Sequence, residues 1–178
     1  DYRLRDGGLE VRVRPVPESG KMPMIKVLLP FKTDQTVIAT VKVTLLDKFT
    51  EEGEFAGMYL IDESGAEFAA KKQIVNRQLM FAPGRYRFVG NQGEEGNPEK
   101  YDVTYTVALP EAGPLRILVR GDYGYFQVGP ATGDKYLNFF HSALRADAKQ
   151  RGFCLTALGC PNEKEHWVRF DDFKVVRN

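Results

Sequence analysis

The sequence is poor in the residues that most catalytic and metal sites require. Its 178 residues include two cysteines and two histidines, too few for a recognisable zinc ligand set. It has no G-x-S-x-G elbow, and its glycine-bearing segments lack the strand-to-helix context of a phosphate-binding loop. Cys160 lies near His166 in the sequence, and we interpret that proximity as accidental. The sequence therefore carries no catalytic signature.

Charge imbalance and long apolar runs are also missing. Twenty-five basic and 24 acidic residues give a formal net charge of +1. Nucleic-acid binding depends on a concentrated positive field, so a nucleic-acid partner is not expected. No apolar run approaches the length of a membrane span. The chain opens at Asp1 without a methionine, which we interpret as a trimmed or mature form in which the absence of a signal peptide decides nothing.

The two cysteines, Cys154 and Cys160, leave the disulfide question open. If the chain between them were fully extended, their α-carbons would be roughly 20 Å apart, beyond disulfide range. A bridge would need a turn near Leu158-Gly159, which Gly159 and Pro161 permit. The alternative is two unpaired thiols, with Cys154 packed as a small hydrophobe.

What the sequence does contain is short alternating segments separated by turn residues. Residues 35–46 are the longest, with Val37, Ala39, Val41, Val43 and Leu45 on one face. Strands are predicted at residues 9–14, 24–31, 35–46, 55–61, 67–70, 78–81, 85–89, 101–109, 115–120, 123–128, 136–140 and 152–158. Turns are expected at residues 62–65 and at Pro83-Gly84, and a solvated loop at 91–99. One short helix is expected at Ser142–Gln150, and the whole predicts a single all-β sandwich domain, residues 1–178.

The last strand, residues 166–177, holds an unusual pair of aspartates between two phenylalanines. Residues three apart face opposite ways in an ideal strand, so Phe170 and Phe173 can share one core only if the strand bulges at Asp171-Asp172. We expect this bulged strand to close the sandwich and to pair near the N-terminal strand.

The order of these elements resembles the concanavalin A-like lectin/glucanase superfamily. The matching pieces are G-M-Y-L-I-D at residues 57–62, L-R-I-L-V-R followed by G-D-Y-G-Y-F at 115–126, G-F-C-L-T-A at 152–157, and V-R-F-D-D-F-K-V at 168–175. They look like that family's successive hairpins and its closing strand. The resemblance implies a jelly roll of two antiparallel sheets with six or seven strands each, one of them concave. It is similar to the laminin-G-like and sugar-hydrolase-associated branches found in secreted bacterial proteins.

Laminarinase-type members of the superfamily hydrolyse glycosides with carboxylates that alternate on one concave strand. Retaining hydrolysis needs two carboxyl groups about 5 Å apart, which alternate strand residues provide. This sequence has no E-x-D-x-E run. Retaining hydrolysis, which the resemblance would imply, therefore requires that carboxylates from separate strands come together.

A binding face is predicted from alternation within Tyr123–Val128. Phe126 and Val128 are expected to face the core, with Tyr123, Tyr125 and Gln127 on the other face. Aromatic rings can lie against sugar C–H surfaces, while glutamine and arginine bond hydroxyl groups. The same argument places further residues outward, namely Trp167, Arg169, Arg116, Arg120, Arg85 and Arg87. If their strands share the concave sheet, they form an aromatic-basic groove; otherwise these are ordinary exposed strand residues.

Asp171 and Asp172 are also candidate ligands for a structural calcium ion, which requires hard oxygen donors. No D-x-D-x-D run accompanies them, so the other ligands would be carbonyls or distant carboxylates. The alternative is an aspartate pair satisfied by backbone N–H groups at the bulge. No other cofactor is expected.

Three functions follow from this reading. The first is a non-catalytic, lectin-like module of a secreted, periplasmic or cell-envelope bacterial protein, with a polysaccharide or oligosaccharide as its partner. The second is a glycoside hydrolase whose carboxylates come from separate strands, and the third is a structural accessory domain. Fold analogy does not choose among them.

Overall fold

The computed structural model describes residues 1–18, 25–27, 31, 35–63, 65–87, 99–102, 113–129 and 136–178. For residues 27, 82–87 and 99–102 it describes the backbone alone. The predicted segments at 24–31 and 101–109 are therefore described only in part. The predicted loop at 91–99 lies outside the described residues except for residue 99, which begins a strand.

Thirteen strands are found in the described residues, and all of their pairings are antiparallel. They are β1 (Tyr2–Arg5), β2 (Gly8–Arg12), β3 (Ile25–Val27), β4 (Val37–Leu45), β5 (Phe55–Asp62), β6 (Gly65–Val75), β7 (Gln78–Arg87), β8 (Glu99–Asp102), β9 (Pro114–Arg120), β10 (Tyr123–Val128), β11 (Leu137–Ala143), β12 (Arg151–Leu158) and β13 (Trp167–Arg177).

These strands make two sheets. The seven-stranded sheet has the order β1-β2-β13-β4-β9-β10-β11, and the six-stranded sheet has the order β3-β12-β5-β6-β7-β8. Strands distant in sequence are neighbours in both sheets, so the fold depends on long-range pairing.

The core lies between the two sheets. On β4 the predicted inward residues, from Val37 to Leu45, are all buried, and Ile117, Phe126 and Phe153 join them. Strands β5 and β12 are buried on both faces, as predicted for β5. Tyr59, Cys154 and Leu158 belong to a second, smaller apolar cluster.

Strand β13 lies inside the seven-stranded sheet, between β2 and β4, and so pairs near the N-terminal strand as the sequence predicts. It pairs with β2 from Trp167 to Phe170, and its register to β4 shifts between Asp171 and Lys174. Asp172 takes a positive φ of 52° at that bulge. Phe170 is buried and Phe173 packs against the same core, so the bulge puts both rings on one side.

The predicted helix at Ser142–Gln150 is wrong. Strand β11 runs through Ala143, and the residues after it form turns and bends. Two backbone N–H groups that a helix would bond internally are taken by a side chain: Lys149 N donates to Glu63 Oε1 at 3.0 Å and Gln150 N to Glu63 Oε2 at 3.4 Å. Arg145 N, in what would be the first helical turn, donates to Glu67. Alanine content favoured a helix, but these long-range acceptors decide the local structure.

The predicted turn at Pro83-Gly84 is also wrong. Strand β7 continues through it, with Pro83 opposite Ala70 and Gly84 opposite Ala69 of β6. Described pairing with β8 begins only at Gly84. A proline is tolerated in a strand where one side is not part of a ladder.

Both cysteines are buried and neither forms a disulfide, which is the second of the two alternatives. Cys154 belongs to the smaller apolar cluster and Cys160 to the main core. Burial raises the pKa of the Cys154 thiol to about 12. In the described part of the chain, no helix is long and apolar enough to cross a membrane.

The loop between β11 and β12 is anchored by a buried ion pair. Glu67 accepts from Arg151 Nε at 2.8 Å and from its Nη2 at 3.1 Å, and both side chains are at most 2% exposed. Glu63 anchors the same loop from an exposed position, and its hydrogen bonds to that loop lower its pKa.

We expect Glu67→Ala to lower the free energy of unfolding by about 3–5 kcal/mol, because it leaves the Arg151 guanidinium buried without its partner. Glu63→Ala removes a carboxylate from the same loop at the surface and should cost much less. Urea denaturation of both variants measures the difference. Equal losses would show that the loop, and not the buried pair, determines the stability.

Candidate functional site: an aromatic row on the seven-stranded sheet

Strands β9 and β10 place five of the predicted binding residues on the outer face of the seven-stranded sheet. Phe126 is fully buried, whereas Tyr123 is 47% exposed and Tyr125 partly exposed. Arg116 and Arg120 lie opposite Gln127 and Tyr123 in the β9–β10 pairing. The alternation predicted for these strands therefore holds, and five of the predicted residues lie together.

One cross-strand row on this face is apolar and aromatic. Tyr125 of β10 pairs with His141 of β11 and with Leu118 of β9; Leu118 pairs with Ile38 of β4, which pairs with Val176 of β13. We call these five residues the outer row. They span four strand spacings, roughly 19 Å. His141 and Val176 are exposed and the other three are partly exposed.

Three rings cluster at one end of the outer row. The Tyr125 and His141 rings are stacked with centroids 5.9 Å apart, and Tyr123 lies 6.5 Å from each of them. Sequence reasoning missed His141, because only the β10–β11 register places it beside Tyr125.

A row of hydrogen-bonding side chains runs alongside. It contains Asn138, Gln127, Arg116, Thr40 and Lys174, in cross-strand order. Gln127 Nε2 donates to Asn138 Oδ1 at 2.6 Å, and the Arg116 guanidinium lies over the Tyr136 ring at 4.4 Å. Gln127 Oε1 and Arg116 Nε are enclosed, and no described residue offers them a hydrogen bond. Both side chains are partly exposed, so other atoms of the same amide and guanidinium groups can reach a ligand on this face.

Basic side chains are concentrated on the strands around the outer row. Strands β4, β9, β10 and β11 together contain Lys42, Arg116 and Arg120 and no carboxylate. Lys174 of β13 adds a fourth positive charge beside the outer row. The chain is nearly neutral as a whole, so this concentration is local.

Trp167 and Arg169 lie on the same face but in a different place. Tyr125 is level with Ile38 of β4, whereas Val168, next to Trp167, is level with Leu45. Three strand spacings and seven residues along the strand (45 − 38) separate the two positions, roughly 25–30 Å. Arg85 and Arg87 belong to β7 in the other sheet. The predicted groove is thus not one continuous surface.

Trp167 is already engaged by its neighbours. The Arg3 guanidinium lies 4.1 Å from the ring centroid, and the indole Nε1 donates to Glu165 Oε1 at 2.8 Å. Arg3 also donates to Glu10 at 2.6 Å, which lowers the pKa of that carboxyl. Arg3 therefore covers one face of the ring that a sugar would need.

The predicted calcium ligands do not form a cluster with other carboxylates in the described residues. Both Asp171 oxygens accept from Arg169 Nε, at 2.8 and 3.0 Å, and Asp172 is exposed at the bulge. Among the described residues, the group of three or more potential metal ligands lies elsewhere. Calcium binding by Asp171 and Asp172 stays a prediction.

Two carboxylates from separate strands, Asp62 of β5 and Glu67 of β6, both contact Arg145, Asp62 at its guanidinium and Glu67 at its backbone N–H. Both contact arginines: Asp62 Oδ2 lies 3.2 Å from Arg145 Nη1, and Glu67 binds Arg151. Both are buried to 2% exposure. A general acid and a nucleophile must reach a substrate, so this pair does not favour glycoside hydrolysis.

The structure also assembles Glu54, Cys160 and His166 into a buried group at one end of the sandwich. Glu54 Oε1 lies 2.6 Å from His166 Nδ1, and Glu54 and Cys160 are fully buried. Burial raises the pKa of the Cys160 thiol, and the Glu54 carboxylate raises it further. A buried, protonated thiol is not an activated nucleophile, so a Cys–His catalytic pair is disfavoured. Glu54 gave no signal in the sequence, because it is distant from the other two.

Solved structures share this fold at low sequence identity. The chain is similar to a functionally unknown protein from Saccharomyces cerevisiae, with a TM-score of 0.70 and 12% identity over 100% of this chain and 92% of that one. It is similar to the GH43 protein BlXynB from Bacillus licheniformis, with a TM-score of 0.69 and 11% identity over 98% of this chain but only 34% of that one. An alginate lyase from Klebsiella pneumoniae matches with a TM-score of 0.60 and 11% identity, over 99% and 84%.

The fold is therefore the concanavalin A-like jelly-roll sandwich that the resemblance predicted. No protein-family model and no curated protein matches the chain. At these identities the likeness establishes the fold alone.

We expect Arg3→Ala to uncover the Trp167 ring and to increase quenching of its fluorescence by acrylamide, because the guanidinium shields one face. Trp167 is the only tryptophan, so the signal is unambiguous. Arg120→Ala, at the tyrosine cluster, serves as the control and should leave quenching unchanged. Unaltered quenching in the Arg3 variant would mean that the guanidinium does not cover the ring in solution.

Proposed function

We propose that the chain is a non-catalytic carbohydrate-binding module that holds a polysaccharide across the outer row of the seven-stranded sheet. The observation that carries this proposal is the cluster of the Tyr123, Tyr125 and His141 rings, continued by Leu118 and Ile38 and flanked by a row of hydrogen-bonding side chains. The similarity to carbohydrate-active proteins supports it as an analogy of fold.

The outer row suits a sugar chain because its two sides differ in chemistry. Tyr125, His141 and the aliphatic residues present rings and methyl groups to sugar C–H surfaces. Gln127 and Arg116, in the neighbouring row, have partly exposed side chains whose amide and guanidinium groups can bond sugar hydroxyl groups. A ligand lying along the row would contact both kinds of group at once.

We infer that the preferred polysaccharide is acidic. Arg116, Arg120 and Lys174 lie beside the row, and β9, β10 and β11 offer no carboxylate to repel an anion. The Asp171 carboxylate, opposite Lys42 on β13, is already bonded to Arg169. Arginine can bind a carboxylate or sulfate through two parallel hydrogen bonds. Charge complementarity of this kind mainly determines which partner is accepted.

The setting we propose is a secreted, periplasmic or cell-envelope protein of the sugar-hydrolase-associated kind. The GH43 chain is similar to this one over only about a third of its length, as expected if this fold occurs as one part of a larger protein. The catalytic work would then belong to another part of such a protein.

A glycan array that includes uronate-containing, sulfated and neutral polysaccharides tests the proposal directly. We expect binding to acidic polysaccharides and little to neutral ones. Absence of binding to every polysaccharide would refute the carbohydrate-binding function, and binding to neutral chains alone would refute the preference for acidic ones.

For a polysaccharide identified on the array, Tyr125→Ala should weaken binding at least about tenfold, or about 1.4 kcal/mol. The ring removed is the centre of the aromatic cluster. Tyr2→Ala is the matched control, because Tyr2 is an exposed tyrosine on β1, at the far edge of the same sheet. Isothermal titration calorimetry gives both affinities; equal affinities in the two variants would place the binding face elsewhere.

The salt dependence of the affinity distinguishes the contribution of the basic side chains from that of the aromatic rings. Arg120→Gln should reduce affinity in dilute buffer and flatten its fall with added salt, because one screened contact is lost. Tyr125→Ala should leave the salt dependence unchanged. If Arg120→Gln binds as the parent does at every salt concentration, the basic flank plays no part.

A further inference from the structure

Glu54, Cys160 and His166 bring three different metal-ligand types to one point. A carboxylate oxygen, a sulfur and a ring nitrogen, one from each residue, all lie within 4.8 Å of one another. Glu54 and Cys160 are fully buried, and the His166 side chain is 13% exposed. These are not scattered surface acids, and no part of the proposed carbohydrate face includes them.

We propose that Glu54, Cys160 and His166 bind a divalent transition-metal ion of the zinc class. Cysteine sulfur, histidine nitrogen and carboxylate oxygen are the donors that zinc uses, and three protein ligands leave one position open. The mixture of a thiolate with nitrogen and oxygen favours zinc over calcium or magnesium, which take oxygen ligands.

The charges of the three ligands balance such an ion. A glutamate carboxylate and a cysteine thiolate carry two negative charges, a neutral imidazole carries none, and a divalent cation makes the buried group neutral. The Cys160 thiol proton leaves to solvent when the sulfur binds the metal, and the proton between Glu54 and His166 moves to the other ring nitrogen, so the imidazole stays neutral. A neutral group is the form that a buried site tolerates.

The surroundings hold each ligand in place. Glu54 Oε2, the oxygen not facing His166, accepts from the backbone N–H groups of Thr50 at 3.0 Å and Glu51 at 3.2 Å. Cys160 Sγ accepts the backbone N–H of His166. The His166 ring stacks on Phe49, with centroids 6.4 Å apart. Such outer contacts orient metal ligands and are part of a working site.

The loop that carries Cys160 is built for close approach to Glu54. Gly159, with a φ of 101°, passes so near that a Cβ there would lie 2.7 Å from Glu54 Cα. An ion pair between Lys164 and Glu51 ties residues 161–165 to the opposite loop. Gly159 thus has a backbone conformation that few other residues can adopt, and this conformation places Cys160 Sγ close to the Glu54 carboxylate.

The position of the site gives the ion a structural role. Glu54 precedes β5 and Cys160 follows β12, both in the six-stranded sheet, while His166 precedes β13 of the seven-stranded sheet. One ion bound to all three would join the two sheets at this end of the sandwich. Without an ion, the Glu54–His166 hydrogen bond and the bond from the His166 backbone N–H to Cys160 make that connection.

Cobalt(II) is the probe that decides between these two arrangements, because cobalt bound to a thiolate has a charge-transfer absorption that other ligands do not give. The full chain, stripped with a chelator, is titrated with cobalt(II) and then with zinc(II). We expect one equivalent of cobalt to develop the thiolate band, zinc to abolish it, and zinc to raise the Tm. Cys154→Ser should keep the band, and Cys160→Ser should lose it.

The titration of the unaltered chain is decisive even if Cys160→Ser fails to fold. Binding without a thiolate band, or no stoichiometric binding, would overturn the proposal. So would loss of the band in Cys154→Ser, provided that its circular dichroism shows it to be folded. Glu54→Gln keeps an acceptor for Thr50 and Glu51 and should weaken cobalt binding at least about tenfold; unchanged binding would remove Glu54 from the site.

Discussion

Burial of alternate residues on β4 is the constraint on which the seven-stranded sheet depends. Val37, Ala39, Val41 and Val43 are completely excluded from solvent, and a shift of one residue would turn all of them outward. The pairing with β9 and β13 is thereby fixed, and so is the position of every outward side chain. The outer row is a consequence: Ile38 can lie level with Tyr125 and Val176 only in this register.

Two further features of the sandwich contribute to that arrangement. The bulge at Asp171-Asp172 lets β13 bury Phe170 and Phe173 together and still present Val176 to the outer row. The buried Glu54–Cys160–His166 group joins the ends of β5, β12 and β13. The carbohydrate face and the proposed metal site are therefore separate in space and in chemistry, and either proposal can fail without the other.

Much of this could be predicted from local pattern, because alternation reports burial directly. The face of Tyr123 and Tyr125, the bulge in β13 and the all-β sandwich all follow from spacing along one strand. The pairing of β13 near the N-terminal strand was predicted, but the order of the other strands in the sheet and their register were not. Trp167 was therefore expected beside the tyrosines, and the β10–β11 register that brings His141 to Tyr125 was overlooked. The same limit applies to the helix at Ser142–Gln150, which Glu63 and Glu67 prevent, and to Glu54, whose partners lie far along the chain.

The central claim is that a polysaccharide lies across the outer row. Nuclear magnetic resonance of the aromatic signals during titration with an acidic oligosaccharide tests it most directly. We expect the ring signals of Tyr123, Tyr125 and His141 to shift together with ligand concentration while the Trp167 indole signal does not move, since it is roughly 25–30 Å away. Shifts confined to Trp167 or to Tyr59 of the six-stranded sheet would contradict it.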